Sequence, residues 1–239
     1  MYKYEIIANE IRNKIKANEF KINEKLPDEK TLSNMFKCSR MTMKQAMDML
    51  VSEGYIIKSR GIGTFVRPQY GPDNKNKRYS NHPNTFGFSS NFEGYDKKTE
   101  VKEFKVIEAN EEIVDKLQLK RGEFVYSIKR VRFLNKKPII LEQIYMPIDK
   151  IVGLNKEVVE NSLYDYIENS IKIKIYNADK IIRAKSANND DINYLKIEEG
   201  DPIIEMEHVV YSQNNSPIEY AIIHYRGDSY ELHFVTKKE

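Results

Sequence analysis

Apolar residues recur at helical spacing in the first part of the chain. Over residues 3–17 they alternate with charged side chains and predict an amphipathic helix with a buried face of Tyr4, Ile7, Ala8, Ile11 and Ile15. Leu26-Pro27 then interrupts the pattern. Asp28 is the predicted cap of a short second helix, whose expected buried face is Leu32, Met35 and Phe36.

A third helix is predicted to follow a tight turn at Lys37-Cys38. Ser39 is its expected N-cap, and Gly54 ends it. Its buried residues are spaced at i, i+3, i+4 and i+7, namely Met43, Ala46, Met47 and Leu50. Two β-prone runs then flank Gly61-Ile62-Gly63, which predicts a hairpin tip because glycine adopts positive φ without strain. This order of elements predicts a winged helix-turn-helix.

The apolar pattern changes after residue 68. Residues 68–84 contain three prolines and no apolar periodicity, as expected of an exposed linker. We therefore divide the chain into a first domain (1–68), a linker (69–84) and a second domain (85–239). The basic cluster 75–78 in the linker either contacts a DNA backbone or is solvated.

The second domain contains a weak internal duplication. Residues 117–147 and 195–228 each run from a helix end through a glycine into two long strands joined by a polar turn. Each copy follows a short helical pattern, and residues 162–169 and 175–187 add a predicted helix and strand. The expected fold class is α+β, an antiparallel sheet of long hairpins with helices packed on one side.

Composition narrows the class of protein. The net charge of +3 is unevenly distributed along the chain. Residues 1–70 contain 13 Lys and Arg and 8 Asp and Glu, whereas the remainder contains 26 Lys and Arg and 28 Asp and Glu. A basic segment joined to a nearly neutral one indicates a nucleic-acid-binding module attached to a second function. Cys38 is the only cysteine, the four histidines lack ligand spacing, and no membrane span or signal peptide is evident. We expect a cytoplasmic protein without disulfide, metal, cofactor or membrane partner.

The first turn of the third helix carries candidate DNA contacts. In a helix-turn-helix the second helix of the motif presents its N-terminal residues to base edges in the major groove. Here these residues are Ser39, Arg40, Met41, Thr42 and Lys44. The glycines of the hairpin tip allow close approach to the minor groove, with Arg60 and Thr64 beside them for phosphates. The alternative is an ordinary hairpin beside a helical bundle.

A candidate anion site lies on a strand of the second domain. Arg130 and Arg132 are two residues apart and share one face of the strand. If the hairpin loop is 135–137, Arg130 lies opposite Glu142. Two guanidiniums near a helix-capping hydroxyl and a phenol would bind an anion, while two carboxylates would accept from hydroxyls, as a phosphorylated sugar requires. The additional contributors are Ser162, Tyr164 and Glu219. The alternative is a solvated strand face with a cross-strand Arg–Glu pair.

The stretch KLPDEKTLSNMFKCSRMTMKQAMDMLVSEGYIIKSRGIGTFV resembles the DNA-binding domain of the GntR family, with its LPSE-R-LA, SR-TVR-AL, L-EG and G-GTFV landmarks. The resemblance covers residues 2–67. It implies DNA contacts at Lys30, Arg40, Thr42, Lys44, Gly61, Gly63 and Thr64. Two of these, Lys30 and Lys44, stand where the family has arginine, so the charge is kept without the bidentate fork.

Residues from about 85 to 235 resemble the UTRA effector domain of the HutC subfamily, whose fold is similar to that of chorismate lyase. The matching segments are FGFSS, KRVRFLNKKPIILEQIYMP, NSLYDYI, ADKIIRA and PIEYAIIHYRGDSYEL. Members similar to N-acetylglucosamine-responsive repressors bind sugar phosphates. The resemblance implies phosphate contacts at Arg130, Arg132, Ser162 and Tyr164, and sugar contacts at Phe86, Ser90, Glu142, Glu219 and Tyr225.

Together these features predict a homodimeric repressor of carbohydrate uptake or breakdown genes. It would bind an inverted-repeat operator in double-stranded DNA and be released by a sugar phosphate. One alternative is the same regulator with a non-sugar effector, such as an amino-acid derivative. Another is a lyase-like enzyme with a DNA-binding appendage, but no catalytic pair stands out, so we expect no enzymatic activity.

Overall fold

The computed structural model describes residues 2–59, 61–67, 79–81 and 95–232. The chain divides into two compact units, one formed by Met1–Asn84 with Leu232–Glu239 and the other by Thr85–Glu231. In the part of the chain that the structure describes, no helix combines the length and apolarity needed to cross a membrane.

Among the described residues, the first unit contains three helices and four strands. They are α1 (Lys3–Lys16), β1 (Lys25–Leu26), α2 (Glu29–Met35), α3 (Arg40–Ser52), β2 (Ile56–Ser59), β3 (Gly63–Val66) and β4 (Tyr79–Asn81). Strands β1, β3 and β2 form a small sheet in that order. This arrangement confirms the predicted winged helix-turn-helix. Strand β4 lies inside the segment interpreted as a linker, and β1 was not predicted because two residues carry no periodic signal.

Local capping explains where the helices of this unit begin. Asp28 accepts a hydrogen bond from the backbone N of Thr31 at 2.7 Å, and Ser39 accepts one from that of Thr42 at 3.1 Å. The four predicted core residues of α3 are fully buried. The prediction for Met35 is wrong, since 57% of this residue is exposed. Its helix is only two turns long, and Ser33 faces the core in its place beside Leu32.

The second unit is built on one large antiparallel sheet. The strands of this sheet are β5 (Lys97–Glu108), β6 (Phe124–Leu134), β7 (Lys137–Pro147), β8 (Ile175–Ser186), β9 (Pro202–Ser212) and β10 (Pro217–Arg226). A short strand outside the sheet, β11 (Tyr230–Leu232), follows them in the chain. Its helices are α4 (Glu111–Leu117), α5 (Lys156–Glu160), α6 (Leu163–Asp165), which continues as a π-helical turn over Tyr166–Ser170, and α7 (Asn189–Leu195). The sheet order is β5-β6-β7-β10-β9-β8.

The internal duplication is confirmed by this order. Each half consists of a strand, a short helix and a hairpin, and the two hairpins meet where β7 pairs with β10. The predicted loop of the first hairpin is one residue too long, because Leu134 pairs with Lys137 and not with Pro138. Asn135 and Lys136 both have positive φ, 48° and 67°, as a two-residue turn requires. A bulge after Arg132 restores the predicted pairing of Arg130 with Glu142.

Helices lie on both faces of the sheet, so the prediction that they pack on one side is wrong. Helix α4 packs through Ile113 and Leu117 near Tyr220, and Leu195 of α7 packs with Val131 and Leu141. These sheet residues belong to one face, whereas Arg130 and Glu142 belong to the other. Val159 of α5 accepts a hydrogen bond from Arg130, which places the α5–α6 segment over the second face. The buried charges of this face explain why it needs a cover.

Candidate functional site

The first turn of α3 presents polar side chains at the surface of the first unit. Arg40 and Lys44 are exposed, while the hydroxyls of Ser39 and Thr42 lie 2.8 Å apart. The side chain of Ser39 therefore caps α3 and also fixes the side chain of Thr42, another predicted DNA contact. Met41 beside them is an apolar residue with 68% exposure. Such an exposed turn has the shape and charge to enter a major groove.

The tip of the hairpin formed by β2 and β3 has a backbone conformation that only glycine adopts easily. Gly61 has φ +76° and Gly63 has φ +139°, and Ile62 between them is 63% exposed. Thr64 is half-buried and pairs with Lys58 across the hairpin. Lys30 is exposed on α2. Of the remaining predicted contacts, Arg60 lies outside the described residues.

In the second unit, Arg130, Arg132 and Glu142 form one buried cluster, which we call the arginine pair and its carboxylate. The two arginines are each 4% exposed and Glu142 is 7% exposed. Oε2 of Glu142 accepts from Nε of both arginines, with Arg132 at 3.1 Å. Nη1 of Arg130 donates to the carbonyl oxygen of Val159 at 2.9 Å, and Nη1 of Arg132 to Oγ1 of Thr99 at 2.6 Å. The guanidiniums are thus held in fixed orientations.

The electrostatics of this cluster follow from its burial. Burial alone would raise the pKa of Glu142, but Arg130 and Arg132 outweigh that effect and lower it to about 2. Burial, helped by the positive charge of Arg130, lowers the pKa of Arg132 to about 10. At neutral pH both Arg132 and Glu142 are therefore charged. Because two guanidiniums face one carboxylate, the cluster is suited to an additional anion.

A second polar cluster surrounds Glu219 on the same face of the sheet. The hydroxyl of Tyr164 donates to Oε1 of Glu219 at 3.0 Å, and Nε2 of His208 lies 2.7 Å from the same oxygen. Oε2 of Glu219 is buried and has no hydrogen-bond partner among the described residues. Burial and the nearby Glu219 carboxylate raise the pKa of Tyr164 well above its ordinary value, so the phenol stays protonated.

His208 and Lys180 were missed by the sequence analysis. Lys180 pairs with His208 in the register of β8 and β9, and burial lowers the pKa of its ammonium while Glu219 opposes that effect. One signal existed for His208. It follows Gly200 by eight residues, as Arg130 follows Gly122 in the other copy. Each copy thus places a basic side chain against a glutamate of its own hairpin.

The other predicted contacts of the second unit are distributed around these clusters. Ser162 accepts from the backbone N of Asp165 at 3.3 Å as the cap of α6. Tyr225 is buried and stacks on Tyr230 with ring centroids 3.9 Å apart. Phe86 and Ser90 lie outside the described residues. No group of three or more His, Cys, Asp or Glu side chains in the described ranges is arranged to hold a metal ion.

Comparisons with known proteins agree with this two-part organisation. The family described as "Bacterial regulatory proteins, gntR family" matches residues 3–66, and the UTRA domain matches residues 93–231. The HTH-type transcriptional regulator GmuR of Bacillus subtilis (strain 168) is 37% identical over 230 residues, which is 96% of each chain.

Two further proteins are similar over nearly the whole chain. The mannosyl-D-glycerate transport/metabolism system repressor MngR of Escherichia coli (strain K12) is 29% identical and covers 99% of this chain and 96% of its own. The crystal structure of the possible transcriptional regulator YydK of Bacillus subtilis subsp. subtilis str. 168 covers 100% of both chains, with a TM-score of 0.77 and 27% identity. The chain therefore belongs to the GntR family, HutC type, as a transcriptional regulator with a DNA-binding winged helix-turn-helix and an effector-binding UTRA domain.

Proposed function

We propose that this regulator represses genes of carbohydrate uptake or breakdown and is released from its operator by a phosphorylated sugar. The observation that carries the proposal is the buried arginine pair and its carboxylate. Two buried guanidiniums share one glutamate and lie side by side on one face of the sheet. A phosphate is an anion with several acceptor oxygens, and planar guanidiniums bind such groups by parallel hydrogen bonds.

The role of Glu142 in this proposal differs from a direct sugar contact. Its Oε2 is shared by both Nε atoms, so it orients the two arginines. The two guanidiniums are the groups that would bind phosphate oxygens. Ser162 completes the proposed phosphate contacts, whereas the phenol of Tyr164 uses its single proton to hold Glu219 and would have to turn from that carboxylate to donate to a phosphate.

The sugar part of the proposal rests on Glu219. A buried carboxylate oxygen without a partner is costly, and a ligand hydroxyl would satisfy it. Tyr164 and His208 hold the other oxygen and thereby fix the direction of the carboxylate. Ser90, Phe86 and Tyr225 are proposed to complete the sugar contacts. An acceptor at this position selects ligands that carry hydroxyls.

The DNA-binding side of the proposal uses the first turn of α3 and the hairpin tip. Lys30, Ser39, Arg40, Thr42 and Lys44 would lie along the major groove, and the residues from Arg60 to Thr64 at the minor groove. A homodimer would place two such units on an inverted repeat. The name of the relative MngR, the mannosyl-D-glycerate transport/metabolism system repressor, supports the assignment to carbohydrate genes.

A thermal-shift screen tests the effector assignment. Phosphorylated mono- and disaccharides are compared with the same sugars without phosphate and with amino-acid derivatives. A ligand present at about 100 times its Kd stabilises the protein by about 2.7 kcal/mol, which raises Tm by roughly 5–10 °C for a chain of this size. Equal stabilisation by the unphosphorylated sugars, or by an amino-acid derivative alone, would contradict the proposal.

A further inference from the structure

Lys58 of β2 forms ion pairs with two acidic side chains in the DNA-binding unit. Its Nζ lies 2.8 Å from Oε1 of Glu29 on α2 and 2.8 Å from Oδ1 of Asp48 on α3. Burial opposes the charge of this ammonium, but the two carboxylates prevail and raise the pKa of Lys58. One cation of the hairpin thus pairs with carboxylates from both helices of the helix-turn-helix.

Asp48 has a second cation within reach on its own helix. Lys44 lies four residues earlier, and side chains at i and i+4 are neighbours on a helix surface. In the described part of the chain, however, Asp48 pairs with Lys58, while Lys44 is exposed. An ion pair between Asp48 and Lys44 would compete with the pair of Asp48 and Lys58 and would engage the ammonium of Lys44 within the protein.

We propose that Lys58 is a positioning residue for DNA binding, which holds Asp48 and so leaves Lys44 available for a DNA phosphate. The inference rests on the proposed contact of Lys44 with DNA. Without Lys58, Asp48 would compete with the phosphate for Lys44.

The ion pairs of Lys58 are expected to contribute little to the stability of the folded unit. Its side chain is 25% exposed, and that of Asp48 is 51% exposed. Exposed ion pairs contribute at most about 1 kcal/mol to folding. The hairpin is also held by Ile56 and Val66, which are buried in the core of this unit. The consequence of losing Lys58 is therefore expected in DNA affinity and not in Tm.

The test is a set of variants measured by fluorescence anisotropy against a DNA duplex that the unmodified protein has selected from a random library. Lys58→Met should weaken binding by about tenfold, the loss of roughly one charge-assisted contact. The double variant Lys58→Met with Asp48→Asn should bind within about threefold of the unmodified protein. The matched control, Lys58→Met with Glu29→Gln, should remain weak, because Glu29 has no such relation to Lys44. Lys58→Arg, which keeps the cation, should bind normally.

Each other outcome overturns the inference. Equal rescue by Glu29→Gln would show general charge neutralisation, and no rescue by Asp48→Asn would show that Lys58 acts by its own contact. Lys44→Met measures the underlying contact separately. If Lys44→Met binds DNA like the unmodified protein, the proposed contact itself is wrong. If Lys44→Met weakens binding while Asp48→Asn fails to rescue, only the role of Lys58 is wrong.

Discussion

Arg132 and Arg130 converge on a single oxygen, Oε2 of Glu142, to which Arg132 donates from Nε at 3.1 Å. Both guanidiniums extend from β6 and the carboxylate from the neighbouring strand β7, on the same face of the sheet. Removal of the arginines is therefore expected to have two effects: it removes the proposed anion site, and it leaves Glu142 buried without the two arginines that pair with it. Breaking a buried pair in this way costs about 3–5 kcal/mol of stability.

The double variant Arg130→Ala with Arg132→Ala should lose the sugar-phosphate ligand. Charge-assisted hydrogen bonds contribute about 1.5–3 kcal/mol each, so the loss is about 3–6 kcal/mol, or more than a hundredfold in Kd. DNA binding should persist, and the variant should remain on its operator in the presence of inducer. Isothermal titration calorimetry with the best ligand of the screen measures the effect.

The control for this variant replaces all three members of the cluster by methionine, at Arg130, Arg132 and Glu142. Apolar residues of similar volume leave no unpaired charge, so this protein should fold at least as well as the double variant. It should also fail to bind the ligand. Unchanged affinity in either protein would mean that the arginines form only a structural pair of the sheet.

Glu219→Gln should change sugar selectivity while phosphate binding survives. The amide keeps one acceptor oxygen but loses the charge that holds Tyr164 and the ligand hydroxyl. We expect the preferred sugar phosphate to bind about tenfold more weakly, with its epimers less affected. Glu142→Gln is the matched comparison and should weaken every phosphorylated ligand alike. Competition titrations with inorganic phosphate and with epimeric sugar phosphates separate the two, and identical profiles would contradict the assignment.

Arg40→Ala should weaken operator binding by about 1–3 kcal/mol and relax the base preference at one position. Arg40 is exposed at the start of α3, where it has no structural role in the core. Mobility-shift titrations with operator and random duplexes measure the change. A variant with the affinity of the parent would rule out the recognition-helix assignment.

Gly63→Val should abolish operator binding and leave effector binding intact. The glycine has φ +139°, and a Cβ at this position would lie 2.4 Å from Cε of Lys25. Gly61→Ala is the milder control, because the space around Gly61 is open. Alanine there would be strained only by the positive φ of +76°. Retained DNA affinity in Gly63→Val would show that the tip is only a turn.

His224 should make the stability of the second unit depend on pH. Its Nδ1 lies 2.7 Å from Oδ1 of Asp191 and its Nε2 lies 3.2 Å from Oε2 of Glu205. Burial opposes the charged ring, but Asp191 and Glu205 prevail and raise the pKa of His224 above its ordinary 6.5. The stabilisation is therefore complete below pH 6.5 and is lost as pH rises through the raised pKa.

The measurement compares Tm of the unmodified protein and of His224→Gln across pH. The gap between them should be largest near about pH 5.5 and smaller near about pH 8.5. A gap that stays constant, or grows with pH, would show that His224 contributes through packing and not through its charge.

The sequence by itself determined the features whose causes are local. The caps at Asp28 and Ser39 bind backbone groups only three residues away, and the apolar face of α3 repeats within one helix. The same holds for strand periodicity, which places Arg130 and Arg132 on one face. These features follow from backbone geometry over a few residues, so the winged helix-turn-helix and the arginine pair were predictable.

Only the tertiary structure decided which distant groups meet. Tyr164 and Glu219 are 55 residues apart, and Lys58 is 29 residues from Glu29, yet both pairs share hydrogen bonds. No periodicity connects such positions, because their distance depends on how separate elements pack. Two further features also depend on tertiary packing. The bulge after Arg132 is determined by the pairing of the whole strands β6 and β7, and the position of α5–α6 over the sheet is determined by the need to bury the charges beneath it.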